Sequence, residues 1–265
     1  QNAPLAAFVW AMLAEAALAA LILLAVMGLR GPTLARLKPS ILRAKALMMD
    51  SWPLIFSAVA VTAYMKIDQI MLGQIINDQA VGIYSAAVKI SQAWYFIPMA
   101  IVPSVFPAIL EAKKRNEAEY YARLQKLYDL LVIISVIVAL PMTFFAEPLV
   151  RLIFGGSYGD SGVVLGIHIW SAVFVFLGVA GHRWFLAEHR QIMILQRTAT
   201  GVVVNVALNA GLIPYYGPVG AAFATLISYA VSELLIDLVQ RETRKLFLMK
   251  LSAANPFLSV KRILD

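Results

Sequence analysis

No cysteine occurs in the 265 residues. That excludes a disulfide framework, thiolate metal sites and a cysteine nucleophile. Charged residues are also scarce, at 14%, while apolar residues make up 61% and the mean hydropathy is +0.79. Soluble domains carry about 25% charged residues, so a water-soluble globular protein is excluded. The sequence has no Walker loop, no GxSxG, no HExxH and no paired-carboxylate motif. No cofactor, catalytic residue or metal site is therefore expected, and the chain is expected not to be an enzyme.

What is present is a series of long apolar runs. Seven segments, at about 3–29, 51–76, 82–110, 127–147, 162–187, 195–215 and 217–239, are each long enough to span a bilayer. None alternates with the period of a barrel strand. The expected fold is an all-α, polytopic membrane helix bundle with seven transmembrane helices. The first run is too long for a signal peptide, and only Glu15 interrupts it with a charge. It reads as a spanning helix whose upstream sequence is missing.

The net charge is +7, and its distribution matters more than its sum. Of the 22 basic residues, 19 fall in alternate connections and in the tail, for example Arg36, Lys45, Lys113, Arg123, Arg190 and Arg244. The intervening connections hold only Arg151. The positive-inside rule places the basic connections and the C-terminus in the cytoplasm. The positive charge is thereby accounted for, and no nucleic-acid partner is expected. The tail from Arg244 to Arg262 mixes basic residues with Leu, Phe and Met. Two readings stand for it, an inner-leaflet segment and a disordered tail.

Polar groups inside the spans are the candidate functional residues, because an ionisable side chain near the bilayer centre costs about 2.5–3.5 kcal/mol. Span two carries Lys66, Asp68 and Gln69, and span three carries Lys89. Asp68 and Lys89 lie at similar depths on neighbouring antiparallel helices, so an ion pair between them is expected. Lys66 is two residues from Asp68, about 200° round the helix, and is left as a free cation for a cavity. Asn205 and Asn209 share one face of span six. Their amides suit sugar hydroxyls, and equally suit hydrogen bonds between helices. Glu15 is the candidate for a coupling ion, with a protonated structural role as the other reading. Gly220, Ala224 and Ser228 form a small-residue face for close packing. Glu233 and Asp237 are expected at the membrane interface, Asp237 pairing with Arg241.

The order of several short elements resembles one family. These are Asp68-Gln69-Ile70-Met71-Leu72-Gly73, Val81-Gly82-Ile83-Tyr84-Ser85, the prolines ending at Pro107, Phe154-Gly155 with Tyr158, Asn205 and Asn209 before Leu212-Ile213-Pro214, and Tyr216-Gly217 before Gly220-Ala221-Ala222. The chain is similar to the polysaccharide biosynthesis (O-antigen repeat-unit) flippases of the multidrug/oligosaccharidyl-lipid/polysaccharide exporter superfamily.

The resemblance implies the second lobe of a two-lobe exporter. On it, 1–30 is the last helix of a missing N-terminal lobe, 31–50 an inter-lobe linker, 51–240 the six-helix C-terminal lobe and 241–265 a basic cytoplasmic tail. It further implies alternating-access transport of an undecaprenyl-pyrophosphate-linked oligosaccharide to the outer leaflet, for O-antigen, capsule or exopolysaccharide synthesis. The setting implied is the bacterial cytoplasmic membrane. Membrane lipids, the other lobe, and polysaccharide polymerase and assembly proteins are the implied partners. Lys66 and Lys89 would contact the pyrophosphate or sugar acids. The alternatives are a multidrug/cation antiporter or a peptidoglycan-precursor flippase of the same superfamily. From another class, the alternative is a membrane-embedded polymerase or glycosyltransferase.

Overall fold

The structure is a computed structural model that describes residues 5–30 and 40–264. Its helices are α1 (Leu5–Arg30), α2 (Ile41–Ile75), α3 (Asp78–Ala93), α4 (Phe96–Arg115), α5 (Glu117–Phe154), α6 (Ser161–His168), α7 (Ser171–Ala187), α8 (Gln191–Glu233), α9 (Arg244–Ala253) and α10 (Pro256–Leu264). Short 3₁₀ turns lie at Gly156–Tyr158 and Leu235–Leu238. The expected all-α membrane bundle is what forms, with no strand among the described residues.

The chain divides into two units, Gln1–Asp50 and Ser51–Asp265. The first holds α1, whose Trp10, Leu18, Leu21 and Leu23 are exposed, together with the start of α2. The linker expected at 31–50 enters α2 at Ile41, while Arg36 and Lys38 lie outside the described residues.

Among the described residues, five segments are long and apolar enough to cross a membrane: Ser51–Ile75, Asp78–Arg115, Glu117–Phe154, Ser161–Ala187 and Gln191–Leu238. The expected count was seven. The difference has two sources. The first expected span lies in α1, whose described part supplies the apolar stretch Leu13–Val26, and Gln191–Leu238 takes in two of the expected spans.

That last segment is not straight. Gly217 interrupts α8 with φ 52° and ψ −131°, a conformation that glycine adopts without a Cβ penalty. Asn209 and Thr225 both reach the carboxyl group of Asp68. On an unbroken helix they would stand about 24 Å apart. The chain therefore doubles back at Gly217, and its two arms run side by side. Gly220 fits against the preceding arm, since a Cβ there would lie 2.6 Å from the Leu212 carbonyl oxygen.

The second unit has two apolar cores. One gathers Val102 and Phe106 of α4, Leu124 and Leu131 of α5, and Phe176 and Phe185 of α7. The other gathers Leu72 of α2, Tyr84 and Val88 of α3, Leu165 of α6 and Ile169 just after it. Helix α5 serves both. Between them the hydrogen-bond pattern tightens to i→i+3 at Trp94–Tyr95 and again at Ile169–Trp170. Pro98 explains the first interruption, since it has no N–H for the Trp94 carbonyl. Ser91 and His168, at the ends of α3 and α6, hydrogen-bond at 2.9 Å at this level.

The outside of this unit is apolar: Phe144 is 74% exposed and Leu152 is 83% exposed. Asp68, Ser91, Asp129, Asn205 and Ser228 are buried instead. A water-soluble bundle distributes these residue types the other way, and a bilayer is the solvent that suits this one.

Candidate functional site

Polar groups converge at two places inside the second unit. The first is Asp68 on α2. Its Oδ2 accepts from the Tyr84 hydroxyl at 2.7 Å and from Thr225 Oγ1 at 2.8 Å, and its Oδ1 accepts from Asn209 Nδ2 at 2.5 Å. Asn209 Nδ2 also reaches Asn205 Oδ1 at 3.0 Å. Asn209 Oδ1 and Asn205 Nδ2 are buried without a partner. Three helices thus meet on one carboxyl group through neutral donors. A buried carboxyl group so surrounded ties these helices together.

The second place is a cavity of about 240 Å³ between α2, α4, α7 and both arms of α8. Tyr64, Tyr95, His182, Thr198, Tyr229 and Glu233 supply its polar lining. The Tyr64 and Tyr95 hydroxyls and His182 Nε2 are enclosed without hydrogen-bond partners. His182 Nε2 stands 3.9 Å from Glu233 Oε1, a gap that one water can bridge. Gly178 makes room for Glu233, since a Cβ there would lie 2.6 Å from Oε2.

Behind Glu233 the charges are paired. Arg197 donates to Asp237 and lies 3.4 Å from Glu233 Oε2. Lys250 of α9 reaches Asp237 Oδ2 at 2.9 Å and the Glu233 carbonyl oxygen at 2.6 Å. Burial pulls the Lys250 ammonium below its ordinary pKa and Arg197 adds to this, while Asp237 and Glu233 oppose it.

The structure brings together Asp68, Asn205 and Asn209 and leaves the lysines apart from them. The expected Asp68–Lys89 pair does not form. Tyr84 faces Asp68, and Lys89 lies five residues further, about 140° round α3, so its side chain is exposed. Lys66 is exposed on the face of α2 away from Asp68, and Gln69 is half-buried. Glu15 is exposed on α1. The expected Asp237–Arg241 pair is replaced as well: Asp237 is fully buried and bound to Arg197 and Lys250. Tyr84 and Thr225 were not singled out from the sequence, and neither was the His182–Glu233 contact. Only the small-residue turn around Gly217 hinted that Thr225 returns to the level of Asn209.

This architecture defines a multi-pass membrane protein with a polar interior. The family described as polysaccharide biosynthesis protein matches residues 3–162, and the chain belongs to that family. Agl15, a probable low-salt glycan biosynthesis flippase of Haloferax volcanii, is 26% identical over 206 residues, which are 75% of this chain and 42% of that protein. AglR, a probable flippase of the same organism, is 28% identical over 190 residues, 65% of this chain and 37% of that protein. The chain thus spans about two fifths of the length of these relatives. No solved structure matches the chain.

Proposed function

We propose that this chain is one lobe of a flippase that moves a lipid-linked oligosaccharide across the membrane during polysaccharide biosynthesis. The carrier is a polyprenyl pyrophosphate, undecaprenyl pyrophosphate in a bacterial cytoplasmic membrane. The observation that carries this reading is the exposure of Lys66 and Lys89 within apolar membrane-spanning segments. Cations held at a lobe's surface inside a bilayer call for an anion beside them, and a pyrophosphate is one. A second lobe facing α2 and α3 would enclose them in a cavity. On this reading the chain crosses seven times, counting α1 and both arms of α8, and the positive-inside rule favours a cytoplasmic C-terminus. Transport then proceeds by alternating access between the lobes. Both relatives carry flippase names, which supports a transporter rather than an enzyme.

The second transport reading, an organic-cation antiporter, would use the aromatic cavity and Glu233. The Arg197 contact to that carboxylate speaks against it. The test is reconstitution of the native protein in proteoliposomes with a lipid-linked oligosaccharide. Accessibility of the glycan to an external lectin should rise with time. Equal accessibility in protein-free vesicles would sink the proposal.

A further inference from the structure

Helix α10 is amphipathic in the sense opposite to that of a helix on a soluble protein. Its polar side faces inward. Arg262 grips Asp129 of α5 with both arms of its guanidinium, Nε to Oδ2 at 2.7 Å and Nη2 to Oδ1 at 2.8 Å. Ser259 donates to the same carboxylate at 3.1 Å. Arg262 also donates to Ser252 Oγ at 2.7 Å, which ties α10 to the end of α9. The apolar side faces outward, with Phe257 86% exposed and Leu264 81% exposed, and Val260 between them on the same stripe. Leu248 and Leu251 of α9 extend this exposed surface. The Asp129 clamp fixes the helix in this orientation.

Ile263 of α10 lines a groove of about 580 Å³ between α4 and α5. The groove is polar at one end and apolar along its length. Glu119, Arg123 and Lys126 mark the polar end. Arg123 is held by Glu119 at 2.7 Å, while Lys126 is exposed, as is Lys261 on α10. The apolar walls are Val105 of α4 and Leu127 and Leu130 of α5. Val105 lies ten residues before Arg115, about 15 Å from the basic end of α4. Both walls belong to membrane-spanning segments.

We propose that α10 and the α4–α5 groove form a binding site for an anionic phospholipid of the leaflet at the basic end of the lobe. The phosphate sits by Lys126, and an acyl chain follows Val105, Leu127 and Leu130. Helix α10 lies in the interface with Phe257 and Leu264 among neighbouring chains. The segregation of charge from apolar surface matches a phospholipid, and a basic rim favours an anionic one. A protein partner would leave the polar-to-apolar gradient of the groove unused.

The absence of native cysteine makes the test direct. The chain carrying Phe257→Cys is labelled with bimane and placed in nanodiscs of brominated phosphatidylcholine and phosphatidylglycerol. Quenching should be strong, and much stronger than for Glu117→Cys at the exposed start of α5. In detergent micelles containing equal amounts of both lipids, the wild-type chain should retain phosphatidylglycerol over phosphatidylcholine. Lys126→Gln should cut that preference about fivefold. An unquenched label at 257 would mean that protein covers α10, and disulfide-linked pairs of Phe257→Cys chains would assign the face to a second copy. Either result overturns the proposal, as does equal retention of the two lipids by the wild-type chain.

Discussion

Asn209 donates to the carboxyl group of Asp68 at 2.5 Å, although 141 residues separate them in the chain. The bond holds the first arm of α8 against α2. Asp68→Ala would leave Asn209, Tyr84 and Thr225 without their shared acceptor. Hydrogen bonds to a charged group contribute about 1.5–3 kcal/mol each, so a loss of about 3 kcal/mol or more is expected. Reversible unfolding in bicelles measures it. A double-mutant cycle should give a coupling of about 1–3 kcal/mol for Asp68 with Asn209 and close to zero for Asp68 with Lys89. Rescue of Asp68→Ala by Lys89→Ala would contradict the geometry.

Lys66 is exposed and makes no contribution to either apolar core. In the native protein, Lys66→Ala should leave expression and insertion at the wild-type level and lower glycan translocation at least about tenfold, the loss expected for a charge that binds a pyrophosphate. Lys66→Arg should keep part of the activity, since the charge persists while the geometry of its donors changes. The lectin-accessibility assay reads both variants. Normal translocation by Lys66→Ala would remove the substrate contact.

Gly178 leaves no space for a side chain beside Glu233. Gly178→Ala is expected to cost about 1–3 kcal/mol, because the added methyl meets a carboxylate already held by Arg197. Gly211→Ala is the control, with nothing within 4 Å of its added Cβ. Thermal denaturation in one detergent compares the two, and equal midpoints would show that the Glu233 site yields easily.

Arg262→Ala should destabilise the docked tail by about 3 kcal/mol, near the low end for a broken buried pair, because Arg262 is itself partly exposed and Asp129 is not. Limited proteolysis after Ala254 provides the readout, with faster release of α10 than in the wild-type chain. Asp129→Asn should soften the effect of Arg262→Ala, since it removes the buried charge.

The positive-inside pattern makes a separate claim about sidedness. Asp78→Cys should react with an impermeant maleimide added outside intact cells, while Lys114→Cys and Glu242→Cys should react only after permeabilisation. Labelling of position 78 only after permeabilisation would invert the bundle.

Helices and their apolar faces were legible because each long run is uniform and its ends carry charge or turn residues. The turn at Gly217 was legible for the same reason, with Tyr215-Tyr216-Gly217-Pro218 between two apolar runs. Lys66 and Asp68 fell on opposite faces as helical periodicity requires. Partner choice was not legible. Depth matched Asp68 with Lys89, but rotation decides contact, and rotation of α3 follows from Tyr84 facing inward. The pairing of Asp237 with Arg197 and Lys250 joins three elements that only the folded chain assembles. Local i,i+4 spacing pointed to Arg241 because it contains no information about more distant neighbours.

The two interruptions, at Trp94–Tyr95 and Ile169–Trp170, fall at one height in the bundle. Each core is close-packed and resists shape change, whereas a tightened turn gives way at the expense of one or two hydrogen bonds. Bending strain therefore collects at this height. Helix α5 is the continuous strut that runs through both cores across this height. The cavity of Tyr64, His182 and Glu233 borders this height, since Tyr95 and, at the start of α4, Met99 line it.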